Sequence, residues 1–129
     1  MMHLLIGAEQ KKTIIVTNEQ TDEAWGGSFH VLSSPALIGS VEMLCAELIC
    51  DQLEAKETTV GVKFDFLHLA PTPTGRAIEI IVKLVEADEK MLTFSAEVKD
   101  TKNNTVVFKG FHKRAVVQRE LFIQKILNT

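Results

Sequence analysis

The stretch SSPALIGSVEMLCAELICDQL, residues 33–53, constrains this chain more than any other. Stepped at about 100° per residue, it reads as one long helix that is apolar on nearly every side. A helix of that kind must be wrapped by the rest of the chain. Ser34 before Pro35 predicts its start, with Ser34 as the N-cap and Pro35 in the first helical position. Its end is expected near Ala55 and Lys56. Ser40, Glu47, Asp51 and Glu54 gather on a polar face, and Glu42 is not among them. Glu42 falls instead within about 60° of Pro35, Ile38, Cys45, Ala46, Ile49 and Leu53. A carboxylate in an apolar stripe costs on the order of several kcal/mol unless it is paired, solvated by a cavity or neutral. Either Glu42 serves a site, or it lies at a dimer seam or reaches water past Ala46.

The remaining segments supply the wrapping. KKTIIVT (11–17) is β-branched and reads as a strand, followed by the loop NEQTDEAWGGSFHVL. After the helix come TTVGVKFDFLHLA, RAIEIIVKLVEA, MLTFSAEVK and TVVFKGFHKRAVV, and then a short helix in QRELFIQKIL. The joints APTPTG, ADEK and DTKNN are turn-rich and short, so consecutive strands pair antiparallel. Strand, loop, long helix, four strands and short helix describe an α+β chain. An antiparallel sheet curls around one central helix, which is the hotdog fold, as a single domain over residues 1–129. Such a sheet covers only part of a helix, so a homodimer is expected to complete the cover.

Composition narrows the function. The formal net charge of -3 and pI near 5.8 leave no basic surplus for nucleic acid or an anionic membrane. No apolar run is long enough to span a bilayer, and the opening MMHLLIGA lacks the cationic start of a signal peptide. Cys45 and Cys50, five apart on the helix, face different directions and cannot pair with each other. They are expected to be buried, inert thiols of a cytoplasmic protein. No metal-ligand spacing is present.

His68 shares the peculiarity of Glu42. Strand alternation groups it with Val60, Val62, Phe64 and Phe66 on the side that meets the helix. A lone His there is ordinarily a satisfied core histidine. A carboxylate with the same problem on the covered helix makes an acid/base pair the sharper reading. Ser34 stands two turns before Glu42 and would border the same cleft.

These residues carry a resemblance. SSPALIGSVE, TTVGVKFDFLHLAPTPTG and KGFHKRAVV resemble the fluoroacetyl-CoA thioesterase-like branch of the hotdog superfamily over residues 31–122. The spacings from Ser34 to Glu42, from Glu42 to His68 and from Gly61 to His68 all fit. The resemblance implies an acyl-CoA thioesterase that hydrolyses a small acyl-CoA thioester to free acid and CoA. Ser34, Glu42 and His68 would be its catalytic set. Serine stands where the family has threonine, which keeps the hydroxyl but loosens its rotamer. Gly61 falls on a glycine that borders the acyl group, and Arg114 on a ligand-contacting arginine. Of the two aromatic gate positions before the helix, one holds Trp25 and the other Ser28, with Phe29 adjacent. The resemblance therefore implies thioesterase chemistry and not fluoroacetyl specificity, with Trp25 and Phe29 as candidate substrate contacts. CoA is part of the substrate, and no further cofactor is implied.

Thioester hydrolysis needs a nucleophile, an oxyanion donor and help for the leaving thiolate. Glu42 would activate water or attack directly, His68 would move the proton, and the backbone N–H of Gly61 would face the oxyanion. The rival reading is a non-catalytic acyl-CoA sensor using the same pocket. A hydratase is weaker, because no Asp–His pair stands at the start of the helix.

Overall fold

The computed structural model describes residues 4–129. Residues 1–3, part of the opening segment discounted above as a signal peptide, lie outside it. Five strands form one antiparallel sheet: β1 (Glu9–Ile15), β2 (Glu57–His68), β3 (Ala77–Asp88), β4 (Met91–Asp100) and β5 (Thr105–Gln118), in the order β1-β3-β4-β5-β2. The long helix α1 (Ser34–Ile49) lies against the concave face, and α2 (Arg119–Leu127) follows β5. This is the expected α+β hotdog arrangement.

The core is the contact between helix and sheet. Leu37, Val41, Leu44, Cys45 and Ile49 recur at helical spacing on α1. They meet Ile78, Ile80, Val82 and Leu84 of β3 and Leu92, Phe94 and Val98 of β4, all buried. Each of these strands alternates buried with half-exposed positions, as a sheet with one covered face requires.

Four local expectations are corrected. The helix begins one residue earlier in its capping: Ser33, not Ser34, is the N-cap, and its hydroxyl accepts from the Ala36 N–H at 3.2 Å. The helix ends at Ile49 and tightens into a 3₁₀ turn over Cys50–Gln52. Leu53 then turns extended and packs back on the core, a tertiary preference that the helix-compatible sequence Asp51–Glu54 does not display. Cys45 is buried but Cys50 is exposed, because nine helical steps put it about 180° from Val41 at the centre of the buried face.

The fourth correction concerns β2. Its register against β5 slips between Gly61 and Lys63, a β-bulge at Val62. Directly opposed residues share a face, so Thr59 (opposite buried Val116) and Gly61 (opposite buried Arg114) point inward. Beyond the bulge, Phe64, Phe66 and His68 point inward too, opposite His112, Gly110 and Phe108. Unbroken alternation had grouped Val60 and Val62 with His68. The extra residue moves Val60 to the other face and brings Gly61 to the helix side.

Candidate active site

Two clusters face each other along α1 and the inner side of β2. The first stands at the helix start. Because Ser33 performs the capping, the Ser34 hydroxyl is free, and it lies 2.7 Å from His68 Nδ1 in a hydrogen bond. The edge of the His68 ring meets Phe108, with centroids 5.9 Å apart. Partial burial lowers the His68 pKa from 6.5, and a backbone hydrogen bond with Ala70 opposes that shift. The imidazole is therefore neutral at pH 7 and able to take a proton. A shallow cavity of about 240 Å³, lined by Val31, His68, Leu69, Ala70 and Pro71, opens beside it.

The second cluster centres on Glu42, two turns further along, or about 12 Å on the helix axis. Glu42 is half-buried, and the residue that pairs with it is Arg114, itself only 7% exposed. Arg114 Nη1 donates to Glu42 Oε2 at 3.0 Å, and Nε donates to the Thr59 hydroxyl at 2.8 Å. Nη2 donates to the Thr59 carbonyl at 3.1 Å, and Nη1 also reaches His112 Nε2 at 3.1 Å. His112 is fully buried, and its Nδ1 lies 2.8 Å from the Lys63 carbonyl at the exit of the bulge. The Phe64 ring stacks on it with centroids 4.6 Å apart. Burial lowers the His112 pKa from 6.5; the Lys63 hydrogen bond opposes this, and nearby Arg114 adds to it. The Glu42 carboxylate rests against the bare Cα of Gly61, in the space a Cβ would fill.

The structure thus joins Ser34 to His68, and Glu42 to Gly61 and Arg114, as two clusters rather than one. All three guanidinium nitrogens of Arg114 are engaged within the chain. Arg114 is therefore a buried, internally paired cation and not an exposed surface charge. Trp25 and Phe29 are 61% and 68% exposed. They ride on a loop that Asp22 closes on itself by accepting from the Ser28 and Phe29 N–H groups. A larger groove of about 410 Å³, lined in part by Asp65, Leu67, Glu97 and Lys109, lies on the sheet's outer face and away from both clusters. Among the described residues no group of three or more His, Cys, Asp or Glu could hold a metal ion.

Thr59 and the part played by His112 were not identified from sequence. The available signal was the alternation that puts His112 and Arg114 on one face. The bulge hid the other half, because it is what turns Thr59 and the Lys63 carbonyl toward them.

A family model described as FlK, fluoroacetyl-CoA-specific thioesterase, matches residues 16–120. The chain belongs to this family. No curated protein matches it. The structure of the fluoroacetyl-CoA thioesterase FlK is 20% identical and covers 98% of this chain and 98% of its own, with a TM-score of 0.89. A hot-dog-like protein from Thermanaerovibrio acidaminovorans is 19% identical over 95% of this chain and 90% of its own, at 0.89. A thioesterase superfamily member from Thermus thermophilus is 17% identical over 99% and 96%, at 0.88. These likenesses establish the hotdog fold. Membership of the fluoroacetyl-CoA-specific thioesterase family makes the chain a thioester hydrolase acting on acyl-CoA. It does not favour the non-catalytic sensor reading.

Proposed function

We propose that the chain hydrolyses a small acyl-CoA thioester to free acid and CoA through Glu42, Ser34 and His68, as a cytoplasmic homodimer. The observation that carries this reading is the Glu42 carboxylate, held by Arg114 against the bare Cα of Gly61. Glu42 attacks the thioester carbonyl or activates the water that does. The Gly61 N–H supports the oxyanion. Neutral His68, oriented by Ser34, moves the proton to the leaving thiolate. Arg114 acts on substrate through Glu42, and Trp25 and Phe29, exposed on the preceding loop, face the acyl group as it enters. The reaction uses no cofactor beyond the CoA of the substrate. One variant of FlK has been solved with fluoroacetate and CoA, and another with acetyl-CoA.

The feature that supports a homodimer is β2. It is a twelve-residue edge strand whose second side is unpaired among the described residues. The edge at β1 carries Lys11 and Lys12, which protect an edge from pairing. Val62, Phe64, Leu67 and Leu69 on or beside β2 are instead each 45% exposed or more. Two copies related by a two-fold axis pair such edges antiparallel. The His68 end of one β2 then runs toward the Gly61 end of the other, and the two clusters approach each other across the seam. Among the described residues no helix is long and apolar enough to cross a membrane. Two unpaired cysteines suit a reducing compartment.

Free CoA release from a panel of short, branched, aromatic and dicarboxylic acyl-CoAs tests the reading, with wild type beside Glu42→Ala and His68→Ala. Turnover of one small class, lost in both variants, is expected. Tight binding without turnover would overturn it. Refolding the two variants together tests the seam: mixed dimers regain activity if each site draws on both copies, and stay dead if each chain carries its own.

A further inference from the structure

We infer that His112 is a positioning residue for thioester hydrolysis: as a neutral imidazole with its proton on Nδ1, it holds Arg114 Nη1 as the donor to Glu42. The inference rests on the reading that Glu42 acts on substrate. The tautomer follows from partners that each work one way. The Lys63 carbonyl can only accept, so Nδ1 carries a proton and donates. Arg114 can only donate, so Nε2 presents its lone pair to Nη1. Nη1 has two hydrogens; one goes to His112 and the other is left in line for Glu42 Oε2. Thr59 takes Nε and Nη2, so the guanidinium is fixed at both ends and cannot rotate away from Glu42.

The ring's surroundings reinforce this. Phe64 and Phe66 of β2 and Phe94 of β4 surround it with apolar faces. The charged groups that face it are Arg114 on β5 and Glu42 on α1. Cys45 of α1, near both, has its thiol pushed up to about 12 and stays uncharged. A second proton on His112 would set an Nε2–H against the Arg114 N–H, with two cations side by side in a buried place. The contact must then break, and Glu42 loses its fixed donor. Activity is therefore expected to fall in acid through two imidazoles, His112 and His68, and not through His68 alone.

Two substitutions separate positioning from packing. In His112→Gln the side-chain carbonyl can stand where Nε2 stood and accept from Arg114, but it does not titrate. In His112→Asn the amide can still donate to the Lys63 carbonyl, but it stops short of Arg114. On acetyl-CoA at neutral pH, His112→Asn is expected to lose roughly tenfold or more in kcat, with KM little changed. His112→Gln is expected to restore most of that loss and to show a less steep acid limb than wild type. Wild-type kcat in His112→Asn, or an equally steep limb in His112→Gln, would overturn the inference. Glu42→Ala run alongside separates the two layers: if it stays active the catalytic reading fails, and if it is dead while His112→Asn is unimpaired only the positioning role fails. Heteronuclear NMR of the wild-type ring, assigned by its absence from His112→Gln, needs neither turnover nor a folded Asn variant. A proton on Nδ1 is expected, and a proton on Nε2 would overturn the inference.

Discussion

One methyl group at position 61 tests the geometry of the site. In Gly61→Ala the new Cβ would collide with Glu42 Oε2, and would lie 2.9 Å from Phe64 Cζ and 3.3 Å from His112 Cε1. Something must shift, and each obstructing atom belongs to a side chain. Glu42, whose oxygen the Cβ meets first, must move and can: its side chain keeps 35% of its accessible surface, and Phe64 is exposed enough to give as well, while His112 is fully buried. The carboxylate therefore swings off Arg114. A hydrogen bond to a charged group contributes about 1.5–3 kcal/mol. At about 1.4 kcal/mol for each factor of ten, kcat/KM is expected to fall roughly 10- to 150-fold. The fold should survive, with its thermal midpoint lower by only several degrees. Gly110→Ala provides the contrast. There the Cβ would collide with the Asp65 carbonyl and lie 2.8 Å from Phe66 Cα, at a glycine with φ of 155°. Backbone of the paired strand cannot step aside, so that variant should lose its folded state. Free CoA release and a thermal melt on both variants decide the matter. Unchanged kcat/KM in Gly61→Ala, or unfolding as severe as that of Gly110→Ala, would refute the reasoning.

Adjacent serines at the helix start should behave oppositely. Ser33→Ala removes the N-cap bond and should cost about 1 kcal/mol of stability with activity retained, whereas Ser34→Ala should spare stability and lower kcat by releasing His68; equal effects on both would show that the two hydroxyls share one role. The pKa values of His68 and His112 both lie below the ordinary 6.5, so folding favours their neutral forms. That contribution is complete above 6.5 and is lost as pH falls through each lowered value; the urea midpoint should drop as the pH is taken below 6.5, and a midpoint that holds or rises would count against it. Cys45 is buried with its thiol pushed up to about 12, and Cys50 is exposed. A thiol reagent on the native protein should modify Cys50 alone, and both cysteines only after denaturation; prompt labelling of Cys45 would contradict its placement.

Local chemistry alone determined much of this protein. Residues 33–53 are too apolar to stand free, and the strands that follow are joined by turns too short for anything but antiparallel pairing. Those two facts require a sheet around a helix. The helical step set Glu42 apart from Glu47, Asp51 and Glu54 before any contact was known. What only tertiary structure decided begins where periodicity breaks. A one-residue bulge at Val62 cannot be read from alternation, because every residue around it still suits a strand. Yet it turns Gly61 and His68 to the same side and points the Lys63 carbonyl at His112. Capping at Ser33 rather than Ser34 is a choice between two equivalent hydroxyls, settled when the imidazole of a distant strand takes the second one. The pairing of Glu42 with Arg114 joins residues 72 positions apart, and no local preference carries that information. Burial of the Arg114 charge demands partners, and the packing of α1 across the sheet made Glu42 one of them.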